Sequence, residues 1–158
     1  MQPRVILALR VLIAIVLLLL LIAQFIAVPF VAADFAVRYP KFAPLRAPAT
    51  VATILLILCV EINFVCVWQL LSLVRRGAIF SREAFRWVRG ILLGLIAATA
   101  IVAVSFLILL AAGAVTPSIS LLLVFGVVVG SGLCLLVLVL RGLLEKALRL
   151  EEDLSEVV

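Results

Sequence analysis

The chain has 158 residues, of which 68% are hydrophobic and 13% charged, and its formal net charge is +5. This composition, with a mean hydropathy of +1.50, excludes a soluble globular protein and predicts an integral membrane protein. Histidine is absent and the three cysteines lie in apolar runs. We therefore expect no metal site, no cofactor, no disulfide framework and no enzyme activity. The basic charge is expected to reflect membrane orientation rather than direct nucleic-acid binding.

Four apolar runs are long enough to cross a bilayer, whose core of about 30 Å requires about 20 helical residues. They are residues 5–28, 49–74, 90–112 and 119–140. A signal peptide cleaved near Ala33 is the competing interpretation of the first run, but the run exceeds the usual length of about 7 to 15 apolar residues. We expect it to be retained as an anchor. The predicted fold is all-α, with residues 1–158 as a single membrane domain built as a four-helix bundle.

The segments between these runs predict the orientation. Pro29 is expected to end the first helix, and residues 30–48 are expected to form an external loop. Residues 75–89 form a hinge, and the last helix is predicted to continue through residues 141–158 as an amphipathic tail. Lys and Arg concentrate near the N-terminus, in the hinge and in the tail, so both termini and the hinge are predicted to be cytoplasmic.

Glu61 is predicted to lie near the middle of the bilayer, roughly 20 Å from either end of its helix. A charged group at this depth is unfavourable by several kcal/mol, so it requires a functional or a packing reason. One interpretation is a small proton-coupled exporter that uses Glu61. The other is a neutral carboxyl that hydrogen-bonds Thr99, Ser105 or Ser131 on a neighbouring helix and sets the register of the bundle.

Asn63 lies two residues further on, at a rotation of about 200° from Glu61 around the helix. Both polar groups need partners, so two faces of the second helix are expected to be contacted, one of them by a second copy or another protein.

Small residues predict close helix packing in the second half of the chain. Gly90, Gly94 and Ala98 recur every four residues in the third span, and Gly126 and Gly130 do so in the fourth. This spacing permits the backbones of two helices to approach closely. Because the turn between the two spans is short, packing within a hairpin is favoured over homodimerisation.

The hinge contains a second set of candidate residues. Gly77 is expected to end one helix, Ser81 to cap the next at Arg82, and Glu83 to occupy its first turn. The stripe of Arg82, Arg86 and Arg89 suits anionic lipid headgroups, or alternatively an acidic partner or the acidic tail of this chain. The candidate partner-binding residues are Arg75, Arg76, Gly77, Phe80, Ser81, Arg82, Glu83, Arg86, Arg89, Glu152 and Asp153.

The pattern Gly77-x-Ile79-Phe80-Ser81-x-Glu83, with Glu152-Asp153-Leu154-Ser155 near the end, resembles the YoaS-like family of small bacterial membrane proteins of unknown function. The resemblance implies a four-helix protein of the bacterial plasma membrane. Many members are encoded beside small helix-turn-helix regulators, which implies a membrane partner that holds or tunes such a protein through its hinge and tail. The chain departs from the pattern at Ala84, where a polar residue is expected, and in its longer, more acidic tail.

Together these features predict a non-enzymatic multi-pass protein that acts through protein contacts. It is expected to regulate a cytoplasmic factor or to serve as an accessory subunit of a larger membrane complex. The alternative is the proton-coupled exporter. The expected partners are the bilayer, anionic headgroups at the hinge, and a protein partner or a second copy of the chain.

Overall fold

The structure is a computed structural model that describes residues 3–38, 40–75 and 82–155. Helix α1 spans Pro3–Ile22, a π-helical turn spans Ala23–Ala27, and α2 spans Val28–Arg38. A short 3₁₀ helix at Pro40–Leu45 leads into α3 at Arg46–Arg75. Helix α4 spans Arg82–Ala111 and α5 spans Pro117–Ser155.

Four stretches of helix are long and apolar enough to cross a membrane, so the prediction of an all-α protein with four candidate spans is confirmed. They are Ile6–Asp34, Ala43–Leu73, Glu83–Ala111 and Pro117–Ala147. The orientation of the termini stays a prediction.

The prediction that Pro29 ends the first helix is wrong. Helical structure continues through α1, the π-helical turn and α2 as far as Arg38, and we call this whole segment the first helix. Proline removes one backbone donor and crowds the preceding turn. The wider π-helical turn lies immediately before Pro29, and the Val28 N–H donates to the Ala23 carbonyl within it. In hydrocarbon, an adjusted turn of this kind leaves fewer backbone groups unpaired than a broken helix.

The connection from the first helix to α3 is therefore shorter than the predicted loop over 30–48. Helix α3 already begins at Arg46, so Pro48 lies in its first turn, where the missing N–H of proline has no helical partner to lose.

The turn between α4 and α5 is fixed by local hydrogen bonds. Gly113 adopts a positive φ of 62°. The Ala114 N–H donates to the Leu109 carbonyl at 3.2 Å and the Gly113 N–H to the Leu110 carbonyl at 3.2 Å. This pair of bonds is a Schellman motif, which satisfies carbonyls at the end of α4. Thr116 then caps α5, because its hydroxyl oxygen accepts the Ile119 N–H at 3.4 Å.

The helices form an open row rather than a closed bundle. Within the described residues, α3 packs extensively on α4 and α4 on α5, and the first helix packs less extensively on α3. No described side chain of α5 is buried, which agrees with a helix that has one neighbour. The row leaves α3 and α4 in the middle and the first helix and α5 at the edges.

At the hinge, α4 is described from Arg82 onward, and Glu83 lies in the first turn of this described helix. The predicted helix start at Arg82 stays a prediction. The proposed terminator Gly77 and cap Ser81, with Arg76 and Phe80, lie outside the described residues. Helix α5 continues past Arg141 to Ser155 without a break. The amphipathic character and cytoplasmic location of this extension stay predictions.

Candidate functional site

Glu61 of α3 is the one buried polar or charged residue within the described part of the chain, with 8% of its surface exposed. Its Oε1 atom is enclosed and has no hydrogen-bond partner there. A buried polar group that lacks a partner is unfavourable by about 1–3 kcal/mol, and such groups are uncommon in native proteins. Glu61 is therefore the first residue that requires an explanation beyond packing.

The face of α3 that carries Glu61 packs against α1. Trp68 and Ser72 lie seven and eleven residues beyond Glu61, which places all three within about 20° of one line along the helix. Arg10 of α1 contacts Ser72 and Trp68. Its Nη2 donates to the Ser72 hydroxyl at 2.9 Å, and its guanidinium carbon lies 5.7 Å from the centre of the Trp68 ring. Glu61 thus lies on the surface of α3 that the first helix covers.

The first helix contributes its own polar groups to this contact. Arg10 lies between Ile6 and Ile13, which are 9% and 2% exposed, so it belongs to the packed stripe of α1. Gln24 lies fourteen residues beyond Arg10, in the π-helical turn, and within about 40° of the same line. The Nε atom of Arg10 and the Oε1 atom of Gln24 are enclosed without partners in the described residues.

These five residues form what we call the polar seam: Arg10, Gln24, Glu61, Trp68 and Ser72. Three of the four enclosed side-chain atoms without partners in the described part of the chain belong to it, and the fourth belongs to Asn63. The seam therefore holds most of the enclosed polar atoms without partners in the described residues, and it lies within hydrophobic spans.

The seam is discontinuous along its length. Arg10 sits level with Trp68 and Ser72, so Glu61 lies about 10–16 Å further along α3 by the helical rise. Accordingly, none of the ion pairs between described residues involves Glu61. A carboxyl group in this setting can accept a hydrogen bond from a polar ligand without first breaking an internal pair.

The expected hydroxyl partners of Glu61 satisfy their own helices instead. Thr99 donates to the Leu95 carbonyl at 2.8 Å, Ser105 to the Ile101 carbonyl at 2.7 Å, and Ser131 to the Val127 carbonyl at 2.8 Å. The prediction that one of them pairs with Glu61 and sets the register is wrong. All three lie on α4 or α5, whereas Glu61 faces the opposite neighbour.

Asn63 lies on the other face of α3, against α4. A Cβ atom built on Gly94 would lie 2.5 Å from Asn63 Oδ1, and one on Gly90 would lie 3.1 Å from Cys66 Sγ. Both polar faces of α3 are thus covered by helices of the same chain. A contact of α3 with a second protein stays a prediction.

Glycine contacts continue across the next interface. Gly130 of α5 faces Thr99 of α4, and Gly126 faces Val102. Gly94, Gly126 and Gly130 therefore all lie at close contacts within the chain. Only the pair on α5 packs within the predicted hairpin, because Gly90 and Gly94 face α3.

The hinge end of α4 carries exposed charge. Arg86 and Arg89 are exposed, and Arg86 forms a weak surface pair with Glu83 at 3.7 Å. Arg75 and Arg82 lie at helix ends, and Glu152 and Asp153 lie in α5, but their side chains lie outside what the structure describes. The contact between the basic stripe and the acidic tail stays a prediction.

Sequence reasoning missed the roles of Arg10, Gln24 and Ser72. A signal existed for two of them, because Arg10 and Gln24 are the polar side chains within the first apolar run. Ser72 had no such signal, since its role depends on which helix lies beside α3.

Four long apolar helices with a carboxyl group buried between two of them define a multi-pass membrane protein. Residues 30–158 match a family described as a protein of unknown function, DUF2975, and the chain belongs to that family. No curated protein and no solved structure matches the chain. The matched range includes α3, α4 and α5 and starts after Arg10 and Gln24. The narrower resemblance to YoaS-like proteins stays a prediction.

Proposed function

We propose that this protein acts without catalysis, as a membrane anchor that binds a cytoplasmic partner protein at the hinge end of α4 and the adjoining end of α5. The partner is a small helix-turn-helix regulator, as the resemblance implies, or a subunit of a larger membrane complex. The observation that carries the proposal is the projection of α5 beyond the described part of α4.

The register between α4 and α5 supports this placement. Because Thr99 faces Gly130 and Val102 faces Gly126 in an antiparallel pair, Arg89 and Arg86 lie level with about residues 140 and 143 of α5. The first charged residue of α5 lies at this level, after an uncharged run that extends from Gly90 to Leu140. The charged residues of α4 and α5 therefore lie at the same height along the helix axes.

Helix α5 also extends past the described part of α4. Its 39 residues correspond to about 58 Å of helix, compared with a hydrocarbon core of about 30 Å. By the same register, Arg82, the first described residue of α4, lies level with about residue 147 of α5. The last two turns of α5 therefore extend beyond the described part of α4. A helix end whose described charged side chains, Glu145, Lys146 and Arg149, are exposed is suited to recognition of a charged protein surface.

Affinity purification from native membranes in mild detergent, with quantitative mass spectrometry, tests the proposal. The full-length chain is expected to recover one soluble protein or membrane complex reproducibly. The Arg86→Glu/Arg89→Glu variant is expected to reduce that recovery by about tenfold or more, because each reversed charge replaces attraction by repulsion.

Arg38→Glu/Lys41→Glu is the matched control, since it makes the same change of charge at the opposite end of the helix row. Cysteine-accessibility labelling of both variants checks that the orientation is unchanged. Recovery of the wild-type chain alone at native expression, or equal recovery from both variants, contradicts the proposal.

A second candidate, the small proton-coupled exporter, is favoured by one observation, namely the enclosed and unpaired carboxyl oxygen of Glu61. A protonatable group inside a membrane span is a common element of proton-coupled transport. In membrane vesicles, Glu61→Gln is expected to abolish proton-driven efflux, whereas Asn63→Gln on the opposite face of α3 is expected to retain it. Equal efflux from wild type and Glu61→Gln excludes this candidate.

A further inference from the structure

A cavity of about 460 Å³ lies between α2 and the beginning of α3, at the end of the helix row away from the hinge. Pro29 and Ala32 line it from α2, and Arg46, Ala47, Thr50 and Val51 line it from α3. Pro29, Ala47 and Val51 are exposed, so the cavity is a groove that opens toward the surroundings of the row. We call it the α2–α3 groove.

The walls of this groove are apolar because of side-chain size and local hydrogen bonding. Alanine on both sides leaves the space between the helices unfilled. The hydroxyl of Thr50, the one polar side chain along the walls below Arg46, donates to the Arg46 carbonyl at 2.7 Å, so its hydrogen is directed to its own helix. A groove of this kind within an apolar span accepts a hydrocarbon chain.

The charge at the mouth of the groove is positive. Asp34 is the only acid before Glu61 in the sequence, and Arg38 engages it at 2.7 Å. Arg46 forms no ion pair within the described residues. It also occupies the first turn of α3, where the helix N-terminus adds positive potential. The mouth therefore favours an anion at the level where the spans meet the headgroups.

We propose that the α2–α3 groove binds one phospholipid, with its phosphate on Arg46 and an acyl chain along Ala32, Ala47 and Val51. A cation above an apolar groove complements a phospholipid, which carries an anionic phosphate above a hydrocarbon chain. This site lies at the opposite end of the row from the proposed protein contact and is independent of it.

Native mass spectrometry of the full-length chain in detergent, titrated with phosphatidylglycerol, tests the site. Wild type is expected to bind one lipid. Arg46→Gln and Ala32→Phe are each expected to bind it about tenfold more weakly, because one removes the cation and the other fills the groove. Lys41→Gln and Ala100→Phe, an equal charge change in the same connection and an equal enlargement on α4, are expected to bind as wild type does.

Two outcomes overturn the proposal. If Arg46→Gln and Ala32→Phe retain wild-type binding, the lipid lies elsewhere. If inorganic phosphate alone displaces the lipid fully, the site recognises a free anion and the acyl chain has no role. Ala47→Phe fills the groove from the opposite wall, so the test remains available if Ala32→Phe does not fold.

Discussion

The two sides of α3 are held by different kinds of contact. Toward α4, and onward to α5, helices meet across glycines, with Asn63, Cys66 and Thr99 close to backbone that carries no side chain. Toward the first helix, α3 meets the polar seam, where Arg10 and Glu61 retain atoms without partners. Close backbone approach supplies dense van der Waals packing, whereas incompletely paired polar groups stabilise a contact weakly.

The difference divides the molecule into a tightly packed unit, formed by α3, α4 and α5, and a first helix that is attached less firmly. Segments with few fully paired contacts open most readily. We therefore expect the first helix to separate from the row more readily than the other helices.

The largest expected effect is on the tight side. Gly130→Leu is expected to destabilise the protein by about 3 kcal/mol, at the upper end of the usual range for overpacking. The new side chain meets Thr99, which is stiff at χ1 because it is β-branched and whose hydroxyl is committed to the Leu95 carbonyl. Reversible unfolding in mixed micelles measures the change.

Gly132→Leu is the control for this prediction, because a Cβ atom on Gly132 meets nothing within 4 Å. A cost for Gly132→Leu that equals the cost for Gly130→Leu contradicts the close α4–α5 contact.

The next effect has the opposite sign and lies in the polar seam. Glu61→Leu is expected to stabilise the protein by about 1–2 kcal/mol, since it removes an enclosed carboxyl group with an unpaired oxygen and adds apolar packing. Thermal unfolding in detergent measures the change, with exposed Glu83→Leu as a control. If Glu61→Leu destabilises the protein, the carboxyl group has hydrogen-bond partners in the folded state. That outcome contradicts the proposed contrast between the two faces of α3.

A smaller effect is expected from the pairing of Arg10 with Trp68. A double-mutant cycle of Arg10→Gln and Trp68→Leu is expected to give a coupling energy of about 0.5–1 kcal/mol, the range of a partly exposed cation–π contact. A cycle of Arg38→Gln and Trp68→Leu, between residues at opposite ends of the row, serves as the control. Additive effects in the first cycle contradict the contact.

The sequence predicts the local features of this architecture better than the features that depend on contacts between helices. The four spans follow from the lengths of apolar runs. The continuation of the first helix through Pro29 was missed, because the usual breaker rule ignores the high cost of unpaired backbone in hydrocarbon.

The polar seam shows more clearly what the sequence does not predict. Glu61 was identified from its depth in the span, and its opposition to Asn63 was correctly derived from helical rotation. The partner of each face depends on the order of helices in the row. Thr99 and Ser131 were reasonable partners for Glu61 in a closed bundle. In the open row, Glu61 faces the first helix, whereas Thr99 and Ser131 lie on helices on the other side of α3.

The smallest expected effect tests how the tight side is built. Gly90→Ala is expected to cost less than about 1 kcal/mol, since the new methyl group lies 3.1 Å from Cys66 Sγ and needs a shift of only a few tenths of an ångström. If that sulfur is the obstacle, the same substitution in a Cys66→Ala background is expected to be neutral or stabilising, because the added methyl then occupies the space that the thiol leaves. Unfolding in micelles of the four members of this cycle measures the difference. Gly126→Ala, whose nearest contact is 3.4 Å from Val102, is the control, and an unchanged cost in both backgrounds assigns the tightness to the helix backbones instead.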